Sequence, residues 1–241
     1  MNNYKSSAEL KAMAKEQLFG KYTTAVGAFV TVSAITLVMS TIPVFMIPHG
    51  SIVYTVIYYL VSFIISLFLG LFASGQAFFY LKVACGQPVS VGDVFFGFRL
   101  HPDKSILIQF TLSLTSYLCT APAAIFQYLY LNGSNAVMLL LMSVSLIVGC
   151  IVLIFVSLLL SQAFYLLQDF PDYSAKELLK MSCHMMKGHK GRLFYIELSF
   201  LPLFLLGLLS CCIAYLWIIP YMNATMANFY MDLVKNQPKE Q

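Results

Sequence analysis

The sequence predicts an all-α bundle of six transmembrane helices, and three observations predict it: the composition, the length of the apolar blocks and the distribution of the basic residues. Of the 241 residues, 60% are hydrophobic and 10% are charged. This leaves too little polar surface for a water-soluble globular protein of this size. We therefore expect a single integral membrane domain over residues 1–241, without nucleic-acid binding.

Long apolar blocks supply the predicted spans. The three blocks are residues 22–81, 105–167 and 193–230. Because a helix needs about 20 apolar residues to cross the hydrocarbon core of a bilayer, each block is long enough to cross twice. Short polar interruptions mark the predicted outer turns, at residues 48–50, 132–135 and 210–212.

The basic residues give the predicted orientation. All fourteen Lys and Arg lie in four stretches that flank the apolar blocks, at residues 5–21, 82–104, 176–192 and 235–239. Basic residues accumulate in cytoplasmic loops of membrane proteins. We therefore expect both termini and both charged loops in the cytoplasm.

A repeated motif lies in or next to each basic stretch except the last. Ser6, Ser90 and Ser174 are spaced by 84 residues, and a carboxylate follows each serine three positions later. Serine with a carboxylate at this spacing forms a capping box at a helix start. The constant period predicts three copies of one unit, at residues about 6–81, 90–167 and 174–233, each a short interfacial helix followed by two spans. The alternative is three independent helix caps.

The third short helix has the clearest amphipathic pattern. Apolar residues recur at helical spacing from Leu178 to Met186, while Lys176, Lys180 and Lys187 lie on the opposite stripe. This pattern is typical of an interfacial helix whose lysines contact lipid phosphates. The first copy shows it more weakly, and the aromatic middle copy predicts a short helix with a loop that is either re-entrant or follows the membrane interface.

The basic residues of the third unit and one acid form the first set of candidate site residues. The candidates for lipid-headgroup or ion-pair contacts are Lys176, Lys180, Lys187, His189, Lys190, Arg192 and Glu197. Glu197 is the one acidic residue inside an apolar block, and ionisable residues within membranes are expensive and often functional. Two hypotheses remain open for it: a structural ion pair with a nearby basic residue, or a ligand or proton site.

Side-chain amides form the second set of candidates. Gln76, Gln162 and Asn228 lie near the ends of the even-numbered spans, where amides can hydrogen bond between helices. Catalytic motifs are absent from the sequence. Cys183, His184 and His189 resemble metal ligands only loosely, because they lack a second ligand pair. We therefore predict no enzymatic activity, no cofactor and no metal, and we expect the six cysteines to be free thiols.

Several sequence segments in the C-terminal third are typical of a known family. The segments, in order, are Ser182 with Met186-Lys187-Gly188-His189-Lys190, Arg192-Leu193-Phe194, Leu198-Ser199-Phe200, Leu216-Trp217, Pro220-Tyr221 and Phe229-Tyr230. The chain resembles the bacterial integral membrane family catalogued as domain of unknown function 975, although Leu201-Pro202 departs from the Ile-Gly-Trp that the family favours there. The resemblance implies a six-helix bacterial inner-membrane protein, akin to membrane domains attached to some glycerophosphodiester phosphodiesterases, and this kinship suggests lipids.

These patterns favour a non-catalytic, lipid-interacting or envelope-accessory membrane protein whose partners are anionic lipids. The alternative is a small transporter or an export or immunity component, and an intramembrane enzyme is third. A continuous cavity reached by Glu197, Gln76 and Gln162 would favour transport, whereas a closed core would favour the accessory function. Protein partners and oligomeric state stay open.

Overall fold

The predicted all-α fold is confirmed by a computed structural model that describes residues 4–46, 52–133 and 135–236. The helices are α1 (Ser7–Leu18), α2 (Tyr22–Met46), α3 (Ile52–Ala84), the 3-10 helix η1 (Val91–Phe98), α4 (Pro102–Gly133), α5 (Ala136–Leu160), α6 (Ala163–Asp169), α7 (Ala175–Met185), α8 (Lys190–Leu198), α9 (Leu201–Leu209) and α10 (Tyr215–Asn236). Regular structure in the described residues is helical throughout.

Five segments in the described part of the chain are long and apolar enough to cross a membrane. They are Tyr22–Phe45, Val56–Ala84, Pro102–Leu131, Ala136–Asp169 and Lys190–Leu209. Each coincides with one of the predicted spans, so the chain has the features of a membrane protein. The sixth predicted span corresponds to α10, which does not belong to this set, and the count of six stays a prediction.

Helix α10 is more polar than the other long helices because it is buried in protein. Eleven of its 22 residues are buried, including the polar Thr225, Asn228 and Asp232. It packs against α1, α2 and α3. Polar side chains are tolerated in such a helix because neighbouring protein groups, rather than lipid, surround them.

The buried core lies at the end of the bundle that carries the short helices, here called the inner end. Fully buried side chains there include Leu18, Phe79, Met186 and Phe229. Towards the other end the apolar side chains of the spans are exposed, as at Ile147, which is 60% exposed. Exposed apolar side chains on a spanning helix are suited to contact with lipid.

The element order repeats three times along the chain. Helix α1 precedes α2 and α3, η1 precedes α4 and α5, and α7 precedes the α8–α9 pair and α10. A residue with positive φ separates each short helix from the next long one: Gly20 (77°), His101 (49°) and Gly188 (87°). This order is the one that a threefold repeat requires, although helix order alone does not establish a duplication.

The middle short helix packs on α3 through backbone contacts. A Cβ atom added at Gly75 would lie 1.8 Å from the carbonyl oxygen of Val94, and one added at Gly97 would lie 2.1 Å from that of Leu71. The Phe78 and Phe96 rings stack with their centroids 3.8 Å apart. The short helix predicted for this copy is therefore present as a 3-10 helix that runs along α3.

Of the three predicted outer turns, the one at residues 210–212 falls within the described residues, and the one at residues 132–135 does so except for residue 134. Helix α4 ends at Gly133, and the Asn135 side chain caps α5 by accepting a hydrogen bond from the Val137 amide at 2.9 Å. Cys211 and Cys212, with φ of 51° and 68°, lie in the turn between α9 and α10. The turn predicted at residues 48–50 lies outside the described residues.

Candidate functional site

Capping boxes start all three short helices. At α1, the Ser6 hydroxyl accepts from the Glu9 amide at 3.3 Å, and the Ser6 amide donates to the Glu9 carboxylate at 2.6 Å. At α7, the corresponding distances between Ser174 and Glu177 are 3.3 and 2.8 Å. These reciprocal bonds fix where α1 and α7 begin, because they satisfy amides that a helix start otherwise leaves unpaired.

The first and third short helices bury the same positions. Leu10, Ala14 and Leu18 of α1 are fully buried, as are Leu178, Ser182 and Met186 of α7, and each residue of the second set lies 168 positions after its counterpart in the first. One face of each helix therefore packs against the bundle. The apolar face predicted for α7 contacts α4, α5 and α6.

The lysines of α1 contact other segments of the protein, although Lys15 is itself exposed. The Lys11 ammonium donates to the Ser199 carbonyl oxygen at 3.0 Å and lies 4.1 Å from the centre of the Phe200 ring. Lys15 lies 5.5 Å from the centre of the Tyr221 ring. Burial, followed by the charge of Lys15, lowers the pKa of Lys11. These cations therefore attach α1 to the segments around α8 and α10.

The lysines of α7 are exposed and free. Lys176, Lys180 and Lys187 make no hydrogen bond, ion pair or ring contact with any residue that the structure describes. Counted back by 168 residues, they correspond to Ala8, Ala12 and Phe19 of the first unit, which are also exposed. We call these three side chains the α7 lysine stripe. Lys176 and Lys180 lie on the helix face opposite to the buried one, since they are about half a turn from residues 178 and 182. Lys187 follows two residues after the end of α7 at Met185.

Arg192 forms a cluster with the N-terminal segment and α10. Its Nη2 atom donates to the Asp232 carboxylate and to the Lys5 carbonyl oxygen, and the Lys5 amide donates to Asp232 at 3.3 Å. The Tyr4 ring lies under the guanidinium at 5.2 Å and against the His189 ring at 4.5 Å. Burial, followed by the Arg192 charge, lowers the pKa of His189.

Asp232 is the site residue that sequence reasoning missed. Its side chain is only 4% exposed. Because it lies two residues beyond the third apolar block, it is not among the acidic residues inside these blocks. The signal in the sequence is that one apolar block separates this acid from the most basic stretch of the chain, residues 176–192. A buried carboxylate needs a cationic partner, and Arg192 is that partner.

The structural ion pair, one of the two hypotheses for Glu197, is not found among the residues that the structure describes. This half-buried carboxylate has no hydrogen bond or ion pair with any described residue, and Arg192 pairs with Asp232 instead. Five residues separate Arg192 from Glu197 on α8, which places them about 140° apart around the helix axis. Lys190 is also directed elsewhere, with its ammonium 4.2 Å from the centre of the Phe155 ring.

The three candidate amides do not meet in one site. Asn228 donates to the Gln17 side chain at 2.7 Å and so links α10 to α1. Gln162 donates to the Ser161 hydroxyl at 2.7 Å, and its buried Oε1 atom has no partner within the described part of the chain. Gln76 is half-buried and forms no hydrogen bond with a described residue.

Ser182 of α7 bridges the break between α5 and α6. Its hydroxyl donates to the Leu159 carbonyl oxygen at 2.8 Å and accepts from the backbone amide of Gln162 at 3.3 Å. Backbone groups freed by a helix break within a membrane protein need such partners. One side chain therefore holds α7 against the inner end of α5.

An open cavity of about 360 Å³ lies between α4 and α5, and its lining residues Ile154 and Ser157 are exposed. Its lining residues are Leu112, Thr115, Ser116, Leu153, Ile154, Val156 and Ser157. Glu197, Gln76 and Gln162 do not line it. All six cysteines are free, and no group of three or more His, Cys, Asp or Glu side chains within residues 4–46, 52–133 and 135–236 could hold a metal ion.

Comparison with known proteins identifies the family of the chain. No curated protein and no solved structure matches it. A family model described as "Protein of unknown function (DUF975)" matches residues 1–237, and this match confirms the resemblance to that family over nearly the full length of the chain. The chain belongs to this family, whose description assigns no activity to its members.

Proposed function

We propose that this protein is a non-catalytic component of the bacterial cytoplasmic membrane that binds anionic lipid headgroups through α7. The free lysine stripe carries this proposal. Within the described residues, Lys176, Lys180 and Lys187 are exposed without a partner, whereas Lys11 and Lys15 of α1 contact protein groups. A lysine near an anionic membrane surface contributes about 1 kcal/mol of binding free energy.

The position of α7 supports lipid contact. The helix packs on α4 and α5, and its Ser182 side chain bonds to the inner end of α5. The α4–α5 pair is peripheral, since α5 exposes apolar residues along most of its length. The lysine stripe therefore lies at the edge of the molecule, where headgroups of the surrounding bilayer would meet it, and the charge bias between loops supports a cytoplasmic location.

The three units at residues about 6–81, 90–167 and 174–233 are, in our proposal, copies of one ancestral unit. The common register of buried residues in α1 and α7 supports this, because it extends the sequence match from the capping boxes to the packing faces. In this interpretation the first copy keeps a structural role and the third copy provides the lipid contact.

Transport is the second candidate function, and Glu197 is the observation that favours it. A half-buried carboxylate on a spanning segment, without a partner among the described residues, is suited to bind a cation or a proton. The variant Glu197→Gln separates the alternatives. Normal folding with loss of a cation-dependent rise in Tm would support a ligand site, and loss of folded protein would support a structural one.

The lipid proposal is tested by native mass spectrometry of protein taken from nanodiscs of phosphatidylcholine with a minority of phosphatidylglycerol. In the variant with Lys176, Lys180 and Lys187 changed to Gln, three lysine contributions of about 1 kcal/mol predict a loss of phosphatidylglycerol affinity on the order of 100-fold. The matched control changes Lys11 and Lys15 to Gln. We expect this control to lower Tm while it retains the lipid, and unchanged lipid in the α7 variant would contradict the proposal.

A further inference from the structure

We propose that the cavity between α4 and α5 holds one acyl chain of the same phospholipid whose headgroup binds the α7 lysine stripe. This inference rests on the proposed function and extends it from a charged surface to a two-part lipid site. The headgroup part is formed by Lys176, Lys180 and Lys187, and the chain part is the cavity of about 360 Å³.

The cavity is closed at its outer end by a close helix contact. A Cβ atom added at Gly149 of α5 would lie 2.5 Å from the carbonyl oxygen of Cys119 on α4. The lining residues begin about one turn further inward on both helices, at Ser116 and Leu153. The two backbones are therefore in close contact at Gly149 and leave a groove between them on the inner side of that contact.

The inner end of the cavity meets α7. Ser157 lines the cavity, and Leu159, whose carbonyl oxygen accepts the Ser182 hydrogen bond, is two residues further, about 3 Å along the helix. Lys180 precedes Ser182 by two residues and lies on the opposite face of α7. The lysine stripe and the inner end of the cavity are thus separated by about the 10–12 Å width of one helix with its side chains.

The chemistry of the cavity fits a hydrocarbon chain. Four of its seven lining residues are aliphatic, the other three carry only hydroxyls, and no charged residue is among them. Both walls belong to segments long and apolar enough to cross a membrane, so lipid is the surrounding solvent. An acyl chain placed here stays in apolar surroundings. The positive lysine stripe at the inner end complements the negative headgroup.

The test fills the cavity without touching the lysines. Ser116→Phe places a ring in the cavity, and the native Ser116 hydroxyl forms no hydrogen bond within the described part of the chain. The matched control is Ser143→Phe, at a serine of α5 that is not a lining residue. Ser157→Leu is a second, smaller cavity-filling change in case Ser116→Phe does not fold.

Native mass spectrometry from the same phosphatidylglycerol-containing nanodiscs measures retained lipid. We expect the cavity-filling variants to retain phosphatidylglycerol about fivefold less tightly, which corresponds to the loss of roughly ten carbon–carbon contacts. The Ser143→Phe control should match the wild type. If the lysine variant loses lipid but both cavity variants retain it, the acyl-chain site is wrong and the headgroup function stands. If the cavity variants lose lipid and the lysine variant retains it, the headgroup function is wrong, and the two-part site with it.

Discussion

Helices α1 and α7 start alike but place their lysines differently. Both begin with a serine capping box, both bury the same three positions, and both end before a glycine with positive φ. They differ in where their lysines lie. Those of α1 occupy the flank that faces α8 and α10, whereas those of α7 occupy the outward face.

The difference shows that the lysines of a basic short helix can be occupied by contacts within the protein. Lys11 and Lys15 of α1 correspond to Leu179 and Cys183 of α7 when 168 residues are added. On α1 these positions meet the Ser199 carbonyl oxygen and two aromatic rings. A shift of lysines around the helix axis by about one residue therefore changes them from groups that attach the helix to groups that are free to bind a ligand.

The largest expected effect concerns the attachment of α1. Asp232→Asn leaves the Arg192 guanidinium without its counter-charge in a site where the aspartate side chain is 4% exposed. Breaking a buried ion pair costs about 3–5 kcal/mol, and we expect the low end because Arg192 keeps 20% exposure. The measurement is Tm in detergent, together with protease sensitivity of the N-terminal segment.

The control for this prediction neutralises both partners. Because Arg192 and Asp232 interact directly, the double variant Arg192→Gln with Asp232→Asn should be less destabilised than the sum of the two single variants. Additive losses of Tm would show that the pair does not hold the N-terminal segment.

The next effect concerns the attachment of α7. Ser182→Ala removes the hydroxyl that pairs with the Leu159 carbonyl oxygen and the Gln162 amide. A buried polar group without a partner costs about 1–3 kcal/mol, so we expect a clear fall in Tm. The reciprocal change in α1, Ala14→Ser, puts a hydroxyl at the equivalent fully buried position. It should also lower Tm, because α1 has no helix break to bridge, and a stabilised Ala14→Ser variant would contradict the comparison.

Sequence reasoning reached the fold and the capping boxes but not the different lysine contacts of α1 and α7. Helix class, five of the spans and the helix starts follow from local properties: apolar length and serine–carboxylate spacing. Partners of charged residues are non-local. Arg192 pairs with Asp232 rather than with Glu197 because of the way in which α8 and α10 are rotated against each other. A single sequence does not directly reveal such a rotation.

A smaller effect transfers the lysine stripe from one helix to the other. Ala8→Lys with Ala12→Lys gives α1 two exposed cations at the positions that hold Lys176 and Lys180 in α7. At about 1 kcal/mol for each lysine, phosphatidylglycerol binding lost in the α7 variant should be partly restored. Lipid counts from native mass spectrometry check this. No gain would mean that the outward face of α1 does not meet the headgroup layer, and that position as well as charge distinguishes α7.

The smallest effect is a pH dependence of the two capping boxes. Hydrogen bonds from the Ser174 side chain and amide hold the pKa of Glu177 below its usual value of 4.5, and those from the Ser6 amide and side chain do the same for Glu9. A lowered pKa means that the stabilisation is present above pH 4.5 and is lost as the pH falls through the folded-state value. Glu177→Gln should therefore lower Tm at neutral pH, and the gap to the wild type should close on acidification. The Ser174 hydroxyl donates to Glu177 at 2.7 Å, and Glu9→Gln at the start of α1 should act in the same direction. A gap that stays constant with pH would show that the carboxylate charge does not stabilise the start of α7.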